Sequence, residues 1–199
     1  MSQFIESIKI ENGKAFLLNL HQQRVEKTFS HFGKTSHLDL KAIFKNSKFN
    51  EKGIFKMRMV YDLEQNFEVQ FIPYQFTEIE HFGLVENPHI SYDFKFLDRN
   101  QLNLLKENFH SQEIIIVKNS YITDTSFSNL LFLKDETWHT PTTFLLNGVQ
   151  RQNLLQHGKI KETEIHIENL KEFSHFQIIN AMNEMNSSFI YPINKIVNV

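Results

Sequence analysis

Cysteine is absent from the 199 residues. That absence excludes disulfides, thiol catalysis and zinc ribbons together. No apolar run approaches the roughly 20 residues that a membrane helix needs. The start, Met1-Ser2-Gln3-Phe4, lacks a charged region followed by an apolar one, so no signal peptide is expected. Net charge is only -2, from 21 basic and 23 acidic residues, and no basic run stands out. Nothing therefore argues for a nucleic-acid partner. The 10 histidines are scattered, and none has a metal-ligand spacing such as His-Glu-x-x-His. A phosphate loop and a Gly-x-Ser-x-Gly elbow are also missing, and together these absences argue against a metal hydrolase or a P-loop enzyme. The composition points to a cytoplasmic protein. What the chain has in excess is phenylalanine: 20 residues, within a hydrophobic share of 41%. Most of these rings must be inside, so an aromatic-rich core is expected. The length suits one large domain or two small ones.

The six glycines read as punctuation. Asn12-Gly13 between two apolar alternations is a hairpin signal, with strands over 4–10 and 15–18. Asn19 is the expected cap of a helix reaching Phe32, with Gly33 as its left-handed stop. Val25, Phe29 and Phe32 form its apolar stripe, and Arg24 borders that stripe. A short helix over 38–44 follows, then two alternating runs, 53–61 and 67–76, joined by a turn at 62–65. The first half is an α+β unit with a largely antiparallel sheet. The pattern weakens over 77–87, and Pro88 follows. The boundary is placed there, giving an N-terminal subdomain, 1–86, and a C-terminal one, 87–199. In the second, Asp98 with Gln101 reads as a capping box for a helix buried through Leu102, Leu105 and Phe109. Strands are expected over 113–117, 129–133 and 176–179. A helix capped by Asn147, with Gln150 at its third position, ends at Gly158.

Asn147-Gly148-Val149-Gln150-Arg151 carries the first chemical signal. A helix start leaves backbone N–H groups pointing outward, and its dipole favours an anion. Gly148 would let that backbone approach a ligand. On its own such a start more often binds water.

The chain resembles the class IV aminotransferases, which use pyridoxal 5'-phosphate (PLP). Leu146-Asn147-Gly148-Val149-Gln150-Arg151 is similar to the family's Leu-x-Gly-(Ile/Val)-x-Arg phosphate segment. Thr123-Asp124 followed by Asn129-Leu130-Leu131 resembles Thr-Glu followed by Asn-Leu-Phe, and Thr140-Pro141 lies between that stretch and the Leu146 segment, as Thr-Pro does in the family. Phe94-Lys95-Phe96-Leu97-Asp98 resembles the Lys-x-Leu-Asn of the Schiff-base lysine. Ile5-Glu6-Ser7, the Asn12-Gly13 turn and His21-Gln22-Gln23-Arg24-Val25 follow Phe-Glu-Thr and His-x-x-Arg-Leu. Ile178-Ile179-Asn180-Ala181-Met182 is most similar to the last phosphate-side loop of aminodeoxychorismate lyases. Together these segments cover residues 4 to 185 in the family's order.

The resemblance implies two α/β subdomains of the D-amino-acid aminotransferase-like kind (PLP fold type IV), PLP in the cleft between them, and a homodimer. Lys95 would hold the cofactor and act as general base. Asp124 would face the pyridine nitrogen and keep it protonated, which makes the ring an electron sink. Arg24 would fork onto the phosphate, the N–H groups of Val149 and Gln150 would bind it, and Asn180 or Ala181 would close the cup. Leu146 would pack against the ring. The substrate would be a small amino or aminocyclohexadiene compound. The first reading is 4-amino-4-deoxychorismate lyase, releasing pyruvate and 4-aminobenzoate. The others are an amino-acid transaminase of the D- or branched-chain type, and a shortened PLP-binding relative without turnover. The chain departs from the family in several ways, including the absence of the branched-chain Lys-x-x-Gly-Asn-Tyr pattern, whose places are filled by Asp98-Arg99-Asn100, and an end soon after Asn194, where longer members carry a further helix. It begins almost at the Phe-Glu-Thr position, it carries Asp124 for the usual glutamate, and it carries Gln150 for a phosphate-binding threonine.

Overall fold

The computed structural model describes residues 2–109, 111–186 and 189–198. It is a mixed helix and sheet protein that divides into two compact units. One comprises Met1–Phe76 together with Phe94–Asp98, the other Thr77–Asp93 and Arg99–Val199.

In the first unit β1 (Gln3–Glu11) runs between β3 (Ile54–Asp62) and an edge that carries β2 (Lys14–Ala15). Outside β3 lies β4 (Phe67–Pro73), and every pairing in this sheet is antiparallel, as expected. Strand side chains alternate between faces. Phe4, Glu6, Ile8 and Ile10 of β1 point inward, where Met57, Met59 and Tyr61 of β3 join them. Helix α1 (Leu18–His31) adds Val25 and Phe29, while Leu38 and Leu40, the latter opening α2 (Leu40–Asn46), complete this core. Phe32, expected on the buried stripe, is 40% exposed and ends the helix.

Asn19 does not cap α1. The helix starts two residues earlier, after Leu17 with φ +53°, whose carbonyl accepts from Leu20 and His21. The left-handed residue itself turns the chain into the helix, so no side-chain cap is used. Gly33 does take the expected left-handed conformation, with φ +69°. Helix α2 begins two residues after its expected start, because Asp39 accepts from the N–H groups of Lys41 and Ala42. At the β3–β4 turn the Asp62 carboxylate receives the N–H groups of Glu64 and Asn66.

The second unit is built on a sheet that runs from β5 (Phe82–Glu86) through β6 (Glu113–Lys118), β7 (Tyr121–Thr125), β8 (Asn129–Lys134) and β9 (Thr137–Pro141) to β10 (Lys161–Thr163). Strand β11 (His175–Ile179) pairs with β8 and with the short β12 (Tyr191–Pro192). The two outer pairs, β5 with β6 and β9 with β10, are parallel. Helix α3 (Asn100–Glu107) places Leu102 against Ile114 and Ile116, and helix α4 (Val149–Gln156) places Leu154 against Leu131 and Ile179. Phe82, Phe132, Phe176 and Tyr191 make a third cluster of ring contacts. Much of the phenylalanine excess is core, as its abundance suggested.

Two expected caps are corrected. Helix α3 starts after Arg99, not Asp98, and no side chain caps it. Residues 94–98 are instead drawn to the edge of β1, where Leu97 N–H donates to Gln3. Helix α4 starts after Gly148, and the Asn147 side chain accepts from Arg151 at 3.3 Å instead of capping. The division into units also differs from the boundary expected at 86/87. Residues 82–86 pair along β6, which carries the 77–93 segment into the second unit. Strands β5, β7, β9, β10 and β12 went unforeseen because they are short or polar, like Thr123-Asp124-Thr125.

Candidate functional site

Lys95 belongs to the first unit. Its segment lies on the β2 edge of β1: Ile5 N–H donates to the Lys95 carbonyl at 2.9 Å, and Leu97 N–H donates to Gln3 at 2.8 Å. Phe96 stacks on Phe4 with ring centroids 5.2 Å apart. These contacts hold the main chain of Lys95 beside Ile5, with the side chain half-buried.

One residue further along β1, Glu6 is fully buried. It accepts from Arg24 Nε at 2.8 Å and Nη2 at 2.5 Å, and from His21 Nδ1 at 2.5 Å. A helix puts residues 21 and 24 on one face, and that face of α1 lies over β1. Burial alone would raise the Glu6 carboxyl, but the Arg24 and His21 bonds outweigh it and hold the carboxyl down at about 2. Glu6 is therefore ionised, and His21 Nδ1 is the donor between them. Burial, with the positive charges of Arg24 and Lys95, keeps His21 below its ordinary value despite Glu6. His21 is thus neutral, and its buried Nε2 has no hydrogen-bond partner among the described residues. Tyr61 of β3 is held above its usual range, first by burial and then by the Glu6 charge.

The second unit holds the other candidates. Asp124, near the end of β7, is buried and faces Asn129 across the tight β7–β8 hairpin. One oxygen accepts from Asn129 Nδ2 at 2.8 Å, and the other accepts from the N–H groups of Leu145 at 3.0 Å and Leu146 at 2.9 Å. Burial raises its carboxyl to about 6, against the pull of those donors. Asn129 Nδ2 also donates to the Leu146 carbonyl at 2.8 Å. Leu146 is thus clasped at both its N–H and its C=O. Gly148 opens α4 in an ordinary extended conformation (φ -64°). A Cβ there would lie 2.0 Å from Asn129 Oδ1. The glycine therefore makes room for Asn129, and the space expected for a ligand is filled by the protein.

The N–H groups that open α4 belong to the buried Val149 and Gln150, and no side chain caps them. Asn180 is committed to a turn. Its Oδ1 accepts from Met182 and Asn183, its own N–H donates to Asn183, and its Nδ2 donates to Ser128. Of the two residues expected to close the phosphate cup, Ala181 is the one whose N–H the turn does not use. Glu6 and Asn129 lie within the motif segments, but the sequence assigns neither a role. Glu6 was visible as a charge on the inward register of an apolar strand, whereas Asn129 acquires its role only through contacts with residues 124, 146 and 148. Among the described residues no metal-binding cluster occurs, and no helix is long and apolar enough to cross a membrane.

The carboxyl of Asp124 makes stability pH-dependent. Its folded value, about 6, lies above the model-compound value of 3.8. The folded state therefore binds the proton more tightly, and this contribution, about 3 kcal/mol, is present below pH 4 and lost as pH rises through 6. Glu6 works the other way, losing its contribution as pH falls below 4.5 toward 2. Asp124→Asn should flatten the dependence of unfolding free energy on pH between 4 and 7, as measured by urea titrations of the cofactor-free protein. An unchanged slope would mean that Asp124 titrates normally.

Comparison with known proteins adds to this geometry. The model of the class IV aminotransferase family matches residues 82–194. An uncharacterized protein of Haemophilus influenzae is 36% identical over 187 residues, covering 92% of this chain and 99% of that one. The crystal structure of a candidate 4-amino-4-deoxychorismate lyase from Haemophilus somnus 129PT superposes with a TM-score of 0.87 at 34% identity, covering 93% of this chain and 98% of that one. A candidate amino-acid aminotransferase from Mesorhizobium loti has a TM-score of 0.76 at 16% identity, covering 96% and 98%, a likeness of fold alone. The α+β fold expected from the motifs is the fold these structures share.

Proposed function

This chain belongs to the class IV aminotransferase family, and from that membership we propose that it is a PLP-dependent 4-amino-4-deoxychorismate lyase. The observation that carries the cofactor reading is the placement of Lys95. Two main-chain bonds seat its segment on β1, where the residue after Ile5, Glu6, holds Arg24 and His21 of α1. The lyase half rests on the 34% identity to the Haemophilus somnus candidate lyase across nearly both chains.

The donor sets fit PLP. Lys95 supplies the amine and Arg24 a guanidinium for the phosphate. Val149 and Gln150 offer uncapped N–H groups at a helix start, which suit an anion. Ala181 adds an N–H beside the Asn180 turn. Asp124 has about four lone-pair positions, of which three are taken. One on the Asn129 side remains for a ring N–H, and that partner would hold the carboxylate ionised. Leu146, clasped by Asp124 and Asn129, is fixed for packing against a ring.

When bound, PLP supplies an electron sink that lets a substrate carbon lose its proton. Lys95 Nζ takes that proton from the carbon bearing the substrate amine. The ring becomes aromatic as the C–O bond to the enolpyruvyl group breaks. The proton is returned to the departing three-carbon unit, so 4-aminobenzoate and pyruvate account for every atom. A small-molecule substrate and a homodimer belong to the same proposal.

The test begins with the absorbance of the purified protein after adding PLP, then borohydride reduction and peptide mapping. Covalent PLP is expected on Lys95, followed by 4-aminobenzoate formation from 4-amino-4-deoxychorismate. No capture, or capture on other lysines, would end the cofactor assignment. Capture on Lys95 without 4-aminobenzoate would end the lyase assignment.

A further inference from the structure

Glu6 is an uneconomical residue for a strand. Its neighbours on the inward face of β1 are Phe4, Ile8 and Ile10, all fully buried. A buried ion pair is weak evidence for stability, because desolvation of both charges offsets their attraction and an apolar replacement often does as well. What such a pair does give is geometry. The carboxylate takes Nε and Nη2, two of the five N–H donors of Arg24, so the plane and rotation of the guanidinium are set. His21 grips the same carboxylate from one turn earlier in α1. The Arg24 side chain is 11% exposed, while those of Glu6 and His21 are 0% exposed. The guanidinium is thus the part of the cluster nearest the outside, with its anchor behind it.

We propose that Glu6 is a positioning residue that presents Arg24 to the phosphate of PLP, an inference that rests on the cofactor assignment above. The register of β1 gives it a second meaning. Ile5 holds the main chain of Lys95 and Glu6 holds Arg24, so two consecutive residues index the covalent and the phosphate contacts to one piece of backbone. A free arginine side chain samples many rotamers. Glu6 removes that freedom before the phosphate arrives, and with His21 neutral the cluster sums to zero charge.

The test compares two probes that differ only in the phosphate, PLP and pyridoxal, each titrated by absorbance with borohydride trapping at Lys95. In Glu6→Gln the dissociation constant of PLP should rise by about tenfold or more, one lost charge-assisted contact, while that of pyridoxal moves less than threefold. Arg24→Gln should show the same selectivity, and the double variant should be no weaker for PLP than Arg24→Gln alone. Should Glu6→Gln fail to fold, Glu6→Asp keeps the charge while withdrawing the carboxylate by one methylene, and the same preferential loss of PLP is expected. Equal loss of both probes, or additive losses in the double variant, would overturn the positioning role and leave the cofactor assignment standing. Capture of neither probe by the parent protein would overturn both.

Discussion

Lys95→Ala should lower turnover at least about a thousandfold, since the substitution removes the covalent attachment and the general base together. Covalent trapping of PLP should disappear with it. The fold should survive, because the Lys95 residue contributes its carbonyl to β1 through Ile5, and alanine retains that carbonyl. For a half-buried side chain away from the core, a stability change below about 1 kcal/mol is expected. One further readout separates loss of chemistry from loss of structure. The positive charge of Lys95 helps to hold His21 down, so the alanine variant should titrate His21 at higher pH in an NMR experiment. Retained turnover would remove Lys95 from its assigned role.

Gly148→Ala should be strongly damaging for the addition of a single methyl group. The backbone there is ordinary, with φ -64°, so conformational strain is not the reason. The added Cβ would sit 2.0 Å from Asn129 Oδ1. A flexible side chain would swing away, but the Asn129 amide is held by two bonds, to Asp124 and to the Leu146 carbonyl. Moving it sacrifices both and leaves a buried carboxylate short of a donor. A destabilisation of about 3 kcal/mol or more is expected. Asn129→Ala should make room for the methyl group added at position 148 while losing the same bonds. The double variant should then be little worse than Asn129→Ala alone, a non-additivity that marks contact between the sites. Thermal or urea unfolding of the three variants measures this. Additive losses would show that Gly148 is needed for some other reason.

The strands and helices of the first unit were largely legible, because Phe4, Ile8 and Ile10, Met57 and Met59, and Val25 and Phe29 keep strict periods of two or of a helical turn. The second unit was harder to read. Strand β6 is a plain apolar run, but β7 is Tyr121-Ile122-Thr123-Asp124-Thr125, whose buried polar side chains are satisfied by hydrogen bonds instead of marking an apolar alternation. Caps failed for a related reason. Asn19, Asp98 and Asn147 have suitable chemistry, yet a left-handed Leu17, the pull of 94–98 toward β1, and Arg151 decided those positions. Lys95, Arg24 and Asp124 were legible through motif order. Glu6 could be read from a broken alternation. Asn129 stands in a motif, but its role is not legible, since its contacts with residues 124, 146 and 148 form only in the folded chain.

The placement of Lys95 has a consequence for assembly of the protein. The segments on either side of residues 94–98 fold with the second unit, while the segment itself is spliced into the first. Its hydrogen-bond partners, Gln3 and Ile5, are synthesised some ninety residues earlier. Closing a loop of that size is much slower than forming a local turn, though its equilibrium cost grows only with the logarithm of length. The lysine therefore takes its address from the start of the chain. A fragment that carried the whole lysine motif but lacked the first strand would own the reactive amine without the template that locates it.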